Sequence, residues 1–179
     1  KYESFPFSQK KFYLSNLTTH RQGETEFYRQ FLSRLDFRFG TLPYAFEGEA
    51  DFFPSGEYYI FSYGDLKPTG FRPCFGFPPW KYQFSHRSDS RNKEALQKIV
   101  GKKQIIDVRL VDTRYYHGDT ALFAFGRNRE YLLAYLEAMD EESQERLRRH
   151  WGEKLIPLSR EDAENFVANS FQLDTERGP

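Results

Sequence analysis

Residues 111–126 read VDTRYYHGDTALFAFG. An apolar run with β character, Ile105, Ile106, Val108 and Leu110, leads into this stretch, and a second run, 121–125, leaves it. Between them lies a short polar and aromatic connector, 112–116, followed by His117 and Asp119. In extended chain, residues i and i+2 point to the same side. His117 and Asp119 can then face one pocket while Tyr116 packs behind them. Imidazole near its reference pKa takes and returns protons. A carboxylate beside it can fix its tautomer or grip a cationic substrate. The same triplet also occurs in plain turns that carry a hydrogen-bonded surface histidine.

The composition narrows the setting. A chain of 179 residues is one domain, or a large part of one, with room for a sizeable core. It carries 19 Phe and 12 Tyr. Acidic and basic residues balance at 26 each, so no net basic field recruits nucleic acid or an anionic membrane. No run approaches the apolar length that spans a bilayer. One cysteine, Cys74, excludes an intrachain disulfide framework and a multi-cysteine metal site, and fits a reducing, cytoplasmic compartment.

Outward from the opening stretch, the pattern alternates. KFYLS (11–15) reads as a strand and 16–21 as a polar loop. A helix begins at Gly23, with Phe27, Tyr28, Phe31, Leu32 and Leu35 on one face. A strand follows at 37–42. FEGEAD (46–51) places Glu47, Glu49 and Asp51 around a glycine. Crowded carboxylates repel, so they suit a place where a cation, a metal or solvent compensates; a solvated acidic turn is the plain alternative. After a turn at 54–56, YYIFSY (58–63) is the clearest strand. Residues 64–85 hold four prolines, three glycines and Cys74, and read as a long ordered loop or lid. Cys74 is either a reactive thiol or a small hydrophobe in that loop. A helix at 90–100 has Ser90 as its cap and Gly101 as its stop. Residues 131–139 read as strand, with helix also open. Asp140 caps a charged helix to Trp151. A short strand at 155–158 and a helix at 161–168, capped by Ser159, complete the order. This alternation predicts α/β layers, and no Gly-rich phosphate loop follows the first strand.

Four blocks, in order, carry a family likeness: FYLSN (12–16) with RQGE (21–24), FEGEAD (46–51), HRSD (86–89) and YYHGDT (115–120). Asp162-Ala163 with Ala168-Asn169 adds a weaker fifth. On these blocks the chain resembles the guanidino-group-modifying enzymes, or penteins, which include arginine deiminases, dimethylarginine dimethylaminohydrolases and amidinotransferases. The resemblance implies a five-bladed α/β propeller of repeated strand–helix–strand modules, of which 1–179 is a partial catalytic domain carrying 64–85 as an insertion. It also implies hydrolysis or transfer at the guanidino or ureido carbon of an arginine-like small molecule, with no cofactor and no metal. A cysteine thiolate attacks that carbon, a histidine protonates the leaving amine and then activates water, and carboxylates hold the nitrogens.

Carried across by residue, His117 matches the general acid/base and Glu47 the acidic residue that opens the family's block. Asp51 closes that block, and Asp119 matches the guanidinium-binding carboxylate. The block here is one residue longer, so Glu49 can hold the first role instead. Arg87 would match an arginine that binds the substrate carboxylate. The family nucleophile lies in a Gly-rich segment after the Asp-Ala…Asn helix, and Cys74 has no counterpart there. The expectation is a fragment, inactive alone, that assembles with N- and C-terminal parts of the same propeller; a homodimer is compatible. The alternative is a non-catalytic pentein that serves as a binding or assembly module.

Overall fold

The computed structural model describes residues 11–17, 21–35, 37–67, 70–83 and 85–173. In chain order the elements are β1 (Lys11–Leu14), α1 (Gln22–Arg34), β2 (Arg38–Thr41), β3 (Phe52–Ser55), β4 (Tyr58–Gly64), β5 (Gly70–Pro73) and β6 (Trp80–Gln83). There follow α2 (Lys93–Val100), β7 (Gln104–Leu110), β8 (Leu122–Phe125), β9 (Tyr131–Ala134), α3 (Glu141–Trp151), β10 (Leu155–Pro157) and α4 (Arg160–Glu164).

Two three-stranded sheets repeat one plan. In the first, β3 and β4 form an antiparallel hairpin and β7 lies parallel to β4, with α2 in the crossover. In the second, β8 and β9 form the hairpin and β10 lies parallel to β9, with α3 in the crossover. The helix is what makes the parallel return feasible, since parallel neighbours require a long crossover. The pair β1–β2, parallel and bridged by α1, repeats the second half of this unit. Among the described residues no sheet closes on itself, and no helix is long and apolar enough to cross a membrane.

The first sheet is buried on both faces, which explains its near-continuous apolar run. Ile60, Ile106, Val108 and Leu110 point into a core shared with Leu122, Leu132, Leu147 and Trp151 of the second module. Phe61 and Ile105 point the other way, onto Leu42, Phe46 and Leu96 of α2. The end of β7 is tied to the second module by a bridge between Leu110 and Met139, and by Ser143 Oγ, which accepts from the Arg109 amide at 2.8 Å.

Several expectations change. Residues 64–85 are not one loop: within them β5 and β6 pair as an antiparallel ribbon, Phe71 opposite Tyr82. The strands are four residues each and Pro73 sits at a strand end, where proline is tolerated, so the proline content hid them. Asp89, not Ser90, caps the turn at Ser90–Asn92 that opens into α2, accepting from the Arg91 amide. Residues 131–139 divide into β9 and a 3-10 turn at Leu136–Ala138. The helix expected at 161–168 is α4, which ends at Glu164; Phe166 then takes φ +53°. Helix α1 forms as expected, but Phe27, Tyr28, Phe31 and Leu35 on its apolar stripe are half-exposed or more among the described residues. Residues 18–20 of the polar loop and the tail 174–179 lie outside the described residues.

Candidate active site

The acidic turn 47–51 precedes β3, and His117 enters from the connector between β7 and β8. They meet because Asp51 binds across the two modules. It is 1% exposed, and its Oδ1 accepts from the Gly118 amide at 2.7 Å and from Ser62 Oγ at 2.7 Å. Its Oδ2 accepts from Ser88 Oγ at 2.6 Å. Asp119 N donates to the Ala50 carbonyl at 2.9 Å, closing the same contact. Gly118 is required here: a Cβ would strike Ser62 Oγ and lie 3.0 Å from the Ala50 carbonyl oxygen.

This places the His117 imidazole between two carboxylates. Nε2 lies 4.0 Å from Glu47 Oε1, and Nδ1 lies 3.9 Å from Asp51 Oδ2. Both distances exceed a direct hydrogen bond, and His117 Nδ1 is buried without a partner. Glu47 Oε2 and Asp119 Oδ1 are also buried without hydrogen bonds. Buried polar atoms are rarely left so. Burial pushes the Asp119 carboxyl above its ordinary range; His117 and a hydrogen bond with Asn169 oppose the shift, while Asp51 and Glu47 add to it.

Among the described residues, Arg87 forms no hydrogen bond or ion pair with these carboxylates. Its guanidinium carbon sits 5.3 Å from the centre of the Tyr116 ring, and Tyr116 packs edge-on against His117 with ring centres 4.5 Å apart. Arg87 Nε and Nη1 are buried without partners. Of the two glutamates left open, Glu47 faces His117 and Glu49 is exposed. Cys74 lies in the turn of the β5–β6 ribbon, where its Sγ faces the Pro78 carbonyl at 3.8 Å and its amide bonds the Pro79 carbonyl.

Sequence reasoning missed three participants. Arg21 hydrogen-bonds Glu47 through Nη1, while Glu24 holds Nε and Nη2 at 2.8 Å each. The Glu24 hydrogen bond, with Glu47, raises the Arg21 pKa further above its ordinary value. Ser88 and Ser62 hold Asp51, and Ser88 Oγ also accepts from the Glu47 amide at 3.1 Å. The signal available was slight: Ser62 is the one non-aromatic, non-aliphatic residue of YYIFSY. Beyond Arg21 and Glu47 lies a cleft of about 590 Å³, walled by Phe12, Tyr13, Tyr28 and Phe31.

Neither a protein-family model nor a curated protein sequence matches the chain. Solved structures do. The N-terminal domain of ArgZ bound to product, an arginine dihydrolase from the ornithine–ammonia cycle in cyanobacteria, aligns with TM-score 0.70 and 25% identity over 89% of this chain and 52% of that domain. The ternary complex of AgrE with ornithine and NAD+ aligns with TM-score 0.67 and 26% identity, over 91% of this chain and 21% of that one. A dimethylarginine dimethylaminohydrolase variant carrying an S-methyl-L-thiocitrulline adduct shares the fold, with TM-score 0.53 and 14% identity over 88% of this chain. The chain spans about half the length of the ArgZ N-terminal domain that it matches. Blocks, fold and neighbours agree: the structural neighbours of this chain are guanidino-group-modifying enzymes of the pentein superfamily.

Proposed function

We propose that this chain supplies the histidine and the carboxylates of a site that hydrolyses, or transfers from, the guanidino or ureido carbon of an arginine-like small molecule. The observation that carries the reading is His117 held between Glu47 and Asp51, beside the buried and unpartnered oxygens of Glu47 and Asp119. A guanidinium is a planar fork of donors, and converging carboxylate oxygens are its natural acceptors. Placed beside Asp119, such a cation would bring the raised carboxyl back toward the ionised form.

In this reading the guanidino carbon, a poor electrophile, is attacked by a thiolate from outside this chain, in a complete five-bladed propeller. Covalent catalysis divides the difficult step. The new C–S bond forms a tetrahedral adduct, and His117 gives its proton to the departing amine as the C–N bond breaks. The neutral imidazole then takes a proton from water, which attacks the same carbon and releases the thiolate. Glu47 faces the Nε2 side of the imidazole. Asp51, filled by three donors, acts by orienting His117 more than by binding substrate. Asp119 holds the guanidinium, and Arg87 the far carboxylate. Of the neighbours, one ArgZ domain structure holds a covalently bound reaction intermediate and another is a cysteine-to-serine variant bound to substrate.

One observation favours the alternative, a non-catalytic binding module: the single cysteine, Cys74, makes its contacts within its own ribbon turn. Assay of the full native protein for ammonia and ureido product from arginine and its analogues separates the two. The enzyme reading expects turnover that falls at least a hundredfold in His117→Gln, with arginine still bound. No turnover with any guanidino compound by the full protein, binding retained, would leave the binding module. The 179-residue chain alone is expected to release neither product.

A further inference from the structure

The β5–β6 ribbon presents a surface that this chemistry does not use. Its tip, 74–79, reads CFGFPP. Phe75 and Phe77 are fully exposed, and Phe71, Trp80 and Tyr82 are each exposed by 47% or more. Behind the tip, the register pairs Pro73 with Trp80, then Arg72 with Lys81, then Phe71 with Tyr82. Large apolar side chains gathered on one exposed projection mark an interaction surface.

Charge indicates what it meets. No Asp or Glu occurs between Asp65 and Asp89, while Lys67, Arg72, Lys81 and Arg87 fall within that interval. In a chain whose charges balance overall, this segment is purely cationic. Arg72 and Lys81 also stand directly opposite each other in the register, so the two cations of the ribbon lie at one level. A second copy of the ribbon would set cations against cations, so self-pairing is disfavoured.

The order of residues along the ribbon fits one anionic surface in particular. Two phenyl rings come first, an indole next, and the cations one residue further back. At a rise of about 3.4 Å per residue, the cations stand roughly 5–10 Å behind the tip. A bilayer interface has the same order: acyl boundary, aromatic belt, anionic headgroups. An acidic protein surface would match the cations alone, without an apolar phase for the exposed rings. We propose that the β5–β6 ribbon is an interfacial anchor that places Phe75 and Phe77 at the acyl boundary of an anionic bilayer, with Arg72 and Lys81 on its headgroups. Binding of this kind is reversible and weak, because two rings bury little area.

The test uses the full native protein with vesicles of phosphatidylcholine alone and of phosphatidylcholine mixed with phosphatidylglycerol. Trp151 is 6% exposed, so within this chain Trp80 is the tryptophan that vesicles can reach, and in the full protein the part of the blue shift lost in Trp80→Phe reports it. Expected are co-sedimentation and a blue shift with the mixed vesicles only, both lost at high salt. Arg72→Gln with Lys81→Gln should weaken binding about 25-fold, at roughly fivefold per cation. Phe75→Ser with Phe77→Ser should abolish the shift while the melting temperature holds. If that variant fails to fold, the salt dependence and the charge variant still decide. No binding to mixed vesicles, equal binding to phosphatidylcholine alone, or a ribbon-dependent dimer in light scattering without vesicle binding would each overturn the anchor.

Discussion

Asp51 carries more of this site than the histidine it faces. At 1% exposure it accepts from Ser62, Ser88 and Gly118, and bulk solvent does not reach it. Asp51→Asn would turn one acceptor into a donor aimed at donors and remove the charge that strengthens all three bonds. It should cost about 3 kcal/mol in urea unfolding. Ser88→Ala removes one donor to Asp51 and the acceptor of the Glu47 amide, and should cost about 1–2 kcal/mol by the same measurement. The acidic block and the His-x-Asp triplet were legible because carboxylates crowded around glycines are unusual in themselves. Arg21, Ser62 and Ser88 were not. A single serine or arginine has no periodicity, and its partner in each case lies 11 to 37 residues away.

Among the elements, α3 is the one whose ends were written most plainly. Asp140 accepts from the Ser143 amide at 2.9 Å, Glu141 and Glu142 open the helix, and Arg148, Arg149 and His150 close it. Asp140→Ala should lower stability by about 1 kcal/mol, and the loss should appear as a lower urea midpoint at unchanged m-value. In the first sheet β4 and β7 were legible for a related reason, since burial on both faces leaves long apolar runs, whereas β3 was not: Pro54 and Ser55 read as a turn and instead pair with Tyr59 and Tyr58. The ribbon was not, because its strands alternate aromatic with basic residues over four positions and are broken by prolines. Its side chains face outward, so the usual inward hydrophobic signal was never written into it. The apolar stripe of α1 was read correctly as a stripe, but a stripe records only that a face is apolar and not what lies against it.

On the scale of the molecule, a zero net charge concealed how charge is arranged, with one cationic projection balanced by acidic residues elsewhere. Protonation depends on place in the same way. His86 is 2% exposed, its Nδ1 lies 3.4 Å from the Asp65 carbonyl, and burial pushes its pKa below the ordinary 6.5. The Asp65 and Asp112 backbone groups and the charges of Asp65 and Asp51 oppose that shift without reversing it. The unfolded chain therefore binds this proton first. The contribution is complete above about pH 6.5 and is lost as pH falls through the lowered folded-state value. His86→Asn should flatten the decline of unfolding free energy between pH 7 and pH 5, measured by urea titration at each pH, whatever its effect on the absolute value.

The Gly118 amide is one hydrogen atom shared between modules: it belongs to the connector before β8 and is held by a carboxylate that precedes β3. Neither module can build the imidazole–carboxylate geometry alone. The proton on that nitrogen therefore keeps a clock for the whole assembly. In hydrogen exchange it should leave no faster than the two modules part, so its half-life measures how long an assembled site survives.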